Sequence, residues 1–246
     1  MKKNSLIGIV LVIILWGLVS KLNLIQSFFL PGPMDTFLEL SKLILDKTII
    51  KDILITLERV GLAFIISLIG IPIGLFLGSS RNVYESFEFV IDFFRSIPAT
   101  AMFPLFLLIF GISDGSKIAV AAFASALIIT FNTAYGVINS KKIRKEATKL
   151  MGASKLQIFR LISFWESLPQ TFIGLRTALS LCLVIIVVTE MFIGTYAGLG
   201  RKIIDFQYVY DIKGMYAVIL LTGIIGYLLN YIFVISERKL IHWNER

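Results

Sequence analysis

The residues able to do chemistry in this 246-residue chain are scarce, so where they stand matters more than how many there are. Cys182 and His242 are each the single residue of their kind, which leaves no disulfide framework, zinc site or Cys/His nucleophile pair to build within the chain. Paired carboxylates, a histidine cluster and a Ser/His constellation are lacking, and no GxxxxGK[ST] loop is present to cradle a nucleotide phosphate. The reading is a non-enzyme without a cofactor or metal. What remains are ionisable groups close to long apolar runs: Glu58, Arg59, Arg176 and Glu190. A carboxylate carried to the centre of a bilayer costs about 2.5–3.5 kcal/mol and less near its edge, so Glu190 must face protein or water. It is either a pathway or gating group, or a pair or cap for a neighbouring loop. Glu58 and Arg59 are placed to pair with each other or to snorkel.

Composition says what surrounds them. The chain is 57% hydrophobic and 16% charged, with a mean hydropathy of +0.87. Soluble domains are about a quarter charged, so this is an integral membrane protein. The net charge of +8 does not point to nucleic acid, because the basic residues gather in loops beside the apolar runs. The Met1-Lys2-Lys3 start is followed by an apolar run without an A-x-A cleavage pattern, which argues against a secretory signal peptide.

Six spans are expected, at Leu6–Val19, Ile53–Ser79, Phe89–Gly111, Lys117–Val137, Thr171–Tyr196 and Met215–Ile235. Between the first two, the FLPGP turn precedes a surface helix that Asp35 can cap, with Phe37, Leu40, Leu43 and Ile44 on one side. In the second span Gly70, Gly74 and Gly78 recur every four residues and bare one flank to a neighbouring helix. The third contains Pro98 and Pro104, each freeing a carbonyl that lipid cannot satisfy, which makes Pro98, Met102 and Pro104 candidates to line a path. Near the end of the fourth, Thr130, Asn132 and Thr133 either meet a solute or bond to adjacent helices. With the N-terminus inside, fourteen Lys and Arg fall on the inner side and eight on the outer, including Lys2, Lys3 and Arg246 within and Lys213 without. Both termini and the stretch Lys141 to Pro169 are then cytoplasmic, and Trp243 sits at that interface.

That stretch is the one long polar segment. Ile143, Ala147, Leu150 and Met151 share one helical side, opposite Lys142, Lys145 and Lys149. Gly152 stands where a helix ends on a positive φ, and Ser154-Lys155-Leu156-Gln157 has the form of a capping box that opens a second helix. Ile158, Leu161, Ile162 and Trp165 give this helix its apolar side, and Pro169 is expected to break it. A short helix, a stiff turn and a second helix suit a groove on another protein.

Glu146-Ala147, Gly152-Ala153, Phe159, Ile162 and Leu168-Pro169 together resemble the EAA loop of the permease subunits of bacterial ABC importers, with Thr148 where a second alanine is frequent. TLERVGLAF from Thr56, SIPATAMFPL from Ser96, NTAYG from Asn132, LPQTFIGLR from Leu168 and TEMFIGTYAGLG from Thr189 resemble the nitrate, sulfonate, taurine and bicarbonate branch. The resemblance implies an all-α, polytopic type I (MetI-like) architecture forming one permease domain over 1–246, its core at about 53–236. It implies a bacterial inner-membrane location, a homodimer, two cytoplasmic ATPase subunits and an extracytoplasmic solute-binding protein. It also implies that Glu146, Ala147, Leu150, Gly152, Ala153, Ser154 and Phe159 couple the chain to the ATPase, whose closure would rock the helices between inward-open and outward-open states. The solute itself is not implied, since the branch favours small anions while relatives carry neutral pyrimidines. A stand-alone secondary transporter or channel is the competing reading, and it would need Glu190, Glu58, Arg59 or Arg176 to couple an ion.

Overall fold

The computed structural model describes residues 3–192 and 195–240, so Lys2, His242, Trp243 and Arg246 lie outside the described residues. The chain is all-helical among the described residues: α1 Lys3–Lys21, α2 Pro33–Leu45, α3 Ile50–Ser67, α4 Gly70–Gly78, α5 Arg81–Ser96, α6 Phe103–Phe110, α7 Asp114–Ile138, α8 Lys142–Leu150, α9 Lys155–Ile158, α10 Phe164–Glu190, α11 Leu199–Tyr208 and α12 Ile212–Leu240. A 3₁₀ turn, Ala99–Met102, precedes α6, and a π-helical turn, Phe159–Ser163, joins α9 to α10.

Four stretches are long and apolar enough to cross a membrane: Ile50–Gly78, Asp114–Ile138, Lys155–Glu190 and Ile212–Lys239. The pair Arg81–Ser96 and Ala99–Phe110 is apolar enough together but bent by 85°, the geometry of a broken span or a re-entrant loop. The remaining expected crossing is α1, whose apolar part is the shorter Ile7–Lys21. At 1.5 Å per residue the whole of α1 is roughly 28 Å long, close to the ~30 Å of a hydrocarbon core.

Contacts divide the chain into two compact units, residues 1–56 with 190–225 and residues 57–189 with 226–246. In the first, the Trp16 indole donates to the Pro31 carbonyl at 3.0 Å and stacks on Tyr216. Gly32, not Asp35, is the N-cap of α2; Pro33 takes the first position and Asp35 instead pairs with Lys213 at 2.9 Å. Proline fits there because that amide has no helical acceptor in any case.

The second unit is arranged around α7. A Cβ added at Gly70, Gly74 or Gly78 would meet the Ala126, Thr130 or Ala134 carbonyl at 2.5, 2.6 and 2.8 Å, so the glycine flank seats α4 directly on the α7 backbone. Gly136 and Gly174 do the same between α7 and α10, where the added Cβ would lie 2.9 Å from the Ser167 carbonyl and 2.6 Å from Asn132 Cβ. Lipid tails are as apolar as leucine, so close backbone approach and dispersion, not escape from water, hold such helices together. Ser125 adds a hydroxyl donated to the Ala178 carbonyl at 3.2 Å and a contact with the buried Cys182 sulfur at 3.0 Å.

Two expectations about proline need correction, and one helix break was not foreseen. Pro72 divides α3 from α4 within the span expected at Ile53–Ser79: it has no amide for the Leu68 carbonyl, which takes the Ile71 N–H at 2.9 Å instead. Pro104 breaks nothing, because it lies in the first turn of α6 where a missing N–H costs no bond. Pro169 sits inside α10 without ending it. The π turn just before it and the hydroxyls of Ser167 and Thr171, donated to the Phe164 and Ser167 carbonyls, adjust and satisfy the local backbone. The continuous helix that carries the span expected at Thr171–Tyr196 therefore runs from Lys155 and stops at Glu190.

Gly74→Ala should lower the stability of detergent-solubilised protein by about 1–3 kcal/mol, the usual cost of overpacking. Gly61→Ala, where a Cβ meets nothing within 4 Å, should leave it unchanged or slightly higher. Thermal unfolding of the two variants checks this, and equal behaviour would contradict the packing role of the glycine flank.

Candidate coupling surface and membrane path

The polar stretch folds as its spacing predicts. The α8 helix ends on Gly152 at φ +84°, with the Ala153 N–H on the Thr148 carbonyl at 3.3 Å and the Gly152 N–H on the Lys149 carbonyl at 3.0 Å. These two bonds form a Schellman ending, which a side chain at residue 152 would strain. Both halves of the capping box are made: the Gln157 N–H donates to Ser154 Oγ at 3.3 Å, and the Ser154 N–H donates to Gln157 Oε1 at 2.8 Å.

The apolar side of this helix pair is bare. Ile143 is 80% exposed, Leu150 89%, Met151 87% and Leu156 75%. Ala147 is exposed beside them, Ala153 and Phe159 are half-buried, and Glu146 makes only an open 3.7 Å pair with Lys142. Apolar groups this exposed on an ordered, highly charged element mark a contact surface.

Sequence reasoning missed the group that anchors α8. Glu166, one of two acids in a mainly basic stretch, lies in the first turn of α10. It accepts from Arg144 Nη1 at 2.8 Å and from the N–H of Lys141, the N-cap of α8, at 2.5 Å. On the other side Lys145 Nζ donates to the Val137 carbonyl in the last turn of α7 at 3.2 Å. Burial pulls the Lys145 ammonium below its ordinary pKa, and the nearby Glu166 charge opposes that shift.

The path candidates separate into two groups. Pro98 and Pro104 are exposed and Met102 is half-buried, all at the sharp bend between α5 and α6. Beside the bend, Tyr84, Glu88, Asp92, Arg95 and Tyr135 line a polar cavity of about 470 Å³, in which the Arg95 guanidinium stands 4.0 Å from the Phe131 ring centroid. Asn132, by contrast, is spent on helix packing: Nδ2 donates to the Ile128 carbonyl at 2.9 Å and Oδ1 accepts from Gln170 at 3.0 Å.

Glu190 takes the cap role rather than the path. It is wholly buried, with Thr56 Oγ1 at 3.0 and 2.9 Å from its two oxygens and the Gly200 N–H at 3.0 Å. Thr56 in turn accepts from the Leu199 N–H at 2.9 Å, and Asp52 accepts from the Gly198 N–H at 2.8 Å. The acid thus ties the start of α11 to the first turns of α3, and a fully buried carboxylate lines no aqueous path. Arg59 reaches Asp114 at 2.8 Å instead of pairing with Glu58. Of the four groups that an ion-coupled transporter could use, Glu190 and Arg59 are engaged in structure. Gly198, at φ +134°, has no room for a Cβ, which would fall 2.5 Å from Glu190 Cδ. Gly198→Ala should cost about 1–3 kcal/mol locally and speed tryptic cleavage after Arg201 and Lys202 by about tenfold. Unchanged digestion would contradict the cap.

Comparison with known proteins agrees with the geometry. Residues 70–242 match the family described as binding-protein-dependent transport system inner membrane component. A probable ABC transporter permease of Brucella abortus (strain 2308) is 30% identical over 218 residues, covering 88% of this chain and 87% of the relative. A putative aliphatic sulfonates transport permease of Bacillus subtilis (strain 168) is 29% identical over 238 residues, covering 95% and 85%. A chain of the MetNI methionine ABC transporter, solved in inward-facing conformations, shares the fold at a TM-score of 0.65 and 24% identity, over 75% of this chain and 92% of that one. The chain belongs to the binding-protein-dependent transport system inner membrane component family and is the permease of an ABC importer, a transport component rather than an enzyme.

Proposed function

We propose that the permease binds a cytoplasmic ATPase dimer through α8, the Gly152 turn and α9. Ile143, Ala147, Leu150 and Met151 with Leu156 form the knob; Glu146, Ala153, Ser154 and Phe159 hold its shape or flank it. The observation that carries this reading is the bare apolar side of a doubly capped element, which has stability to spare only for a partner. ATP is hydrolysed in that partner, and both termini lie on its side of the membrane, in the cytoplasm.

A second copy of the chain completes a single permease domain into a homodimer, with an apolar groove of about 980 Å³ among Leu62, Ile66, Ile73, Phe76, Phe106 and Phe123 available to it. The solute passes beside the Pro98–Pro104 bend, where non-helical backbone at membrane depth must face protein or water. An extracytoplasmic binding protein delivers that solute. Its class is a small organic anion of the sulfonate type, by likeness to the Bacillus subtilis relative.

The test is uptake of an alkanesulfonate into proteoliposomes holding the permease, its ATPase and its binding protein. Transport requiring all three components supports the reading, whereas ion-driven flux through the chain alone contradicts it. Gly152→Val places a β-branched residue at positive φ, a cost of about 1–2 kcal/mol. It should leave insertion intact and lower uptake per ATP hydrolysed by about tenfold. Glu146→Lys should weaken ATPase capture by about 1 kcal/mol, roughly fivefold, measured by co-purification from detergent. Wild-type uptake in the first variant, or wild-type capture in the second, would contradict the docking role.

A further inference from the structure

The α8 helix has little of its own to hold it to the membrane helices. Its apolar residues point away from the chain, and its far end leads through the Gly152 turn into the four-residue α9. Apart from the chain itself, two attachments are made by its basic side. One is Lys145 on the last turn of α7. The other is Glu166, whose side chain is 15% exposed and whose two oxygens are both used, one by the Arg144 guanidinium and one by the amide at the start of α8.

A charged hydrogen bond from a half-buried carboxylate is among the stiffer links that side chains make. The Glu166 backbone belongs to α10, one turn before Pro169. Besides its Lys145 and chain links to α7, which packs on α10 at Gly136 and Gly174, a push on the exposed end of α8 has two routes into α10. The direct one runs through the Arg144–Glu166 and Lys141–Glu166 bonds; the indirect one runs along the chain through the Gly152 turn and the π turn, Phe159–Ser163. The indirect route is the longer one and passes through the π segment, a break in the regular helical ladder.

We propose that Glu166 is a positioning residue that clamps α8 to α10, so that the two move as one body when the ATPase closes. The clamp deepens the docking role given to α8 above and rests on it. Removing the carboxylate leaves α8 able to bind the ATPase but lets the α8–α9 elbow swing at the π turn, and ATP is then consumed without moving α10.

The experiment uses the permease in complex with its ATPase, spin-labelled at Lys149→Cys on α8 and Val184→Cys on α10. Val184 is exposed, and the native Cys182 is buried and takes no label. The distance is read by pulsed electron resonance without nucleotide and with ATP trapped. In the otherwise native chain the distance should be the same in both states. In Glu166→Ala it should shift or broaden on ATP trapping, while a Leu150→Cys cross-link to the ATPase persists. Arg144→Gln, on an exposed position that leaves folding untouched, should produce a smaller shift and carries the test if Glu166→Ala fails to insert. The swap Glu166→Arg with Arg144→Glu should return much of the fixed distance, which a general loss of stability would not allow.

A distance that stays fixed in Glu166→Ala and Arg144→Gln overturns the clamp and leaves the docking reading standing. A distance that already shifts in the native chain does the same. Absence of the Leu150→Cys cross-link in the native complex overturns the docking reading and the clamp with it.

Discussion

Lipid neither donates nor accepts hydrogen bonds, and it gives apolar helices no reason to prefer each other over hydrocarbon. Both facts shape this chain. With no hydrophobic drive between helices, the second unit relies on bared backbone: three glycines of α4 lie on successive turns of α7, and Gly136 and Gly174 bring α10 close on its other side. With no solvent to satisfy stray polar atoms, several exceptions have an internal answer. Leu68 finds the Ile71 amide where Pro72 cannot serve it, and the loop ahead of α11 finds Glu190, Thr56 and Asp52.

The division of labour follows from where polarity is left unspent. The α8–α9 elbow is charged, ordered by a Schellman ending and a complete capping box, and still carries bare apolar groups. Its shape is fixed locally, so it needs no partner to fold, yet its surface is unfinished without one. The bend at Pro98 is the other unfinished place, since its backbone leaves the helical pattern between α5 and α6 beside a polar cavity. One feature suits a handle and the other a passage, and both belong to the unit in which α7 is central.

Features set by near neighbours in the chain were legible beforehand. The Ser154–Gln157 box, the positive φ of Gly152 and the glycine flank of α4 each depend on residues within one or two turns, and spacing alone reveals them. Features set by distant partners were not. Glu166 meets Lys141 across 25 positions, Gln170 meets Asn132 across 38, and Thr56 meets Glu190 across 134. No periodicity encodes such pairs, so Glu190 stood equally for a gate and a cap, and Asn132 for a solute contact and a helix bond. The prolines misled for a different reason. Proline is disruptive only where its amide would have had an acceptor, and that depends on where the helix begins, which residue type alone does not give.

The claim on which the account turns is that the α8–Gly152–α9 elbow is the surface a separate ATPase grips. Hydrogen exchange over residues 142–158, in the reconstituted permease before and after the ATPase is added, measures it directly. The account predicts exchange-competent amides at the ends of both helices in the permease alone, and marked slowing confined to this stretch once the ATPase binds. Equal exchange in both conditions, with a bound ATPase present, would contradict it.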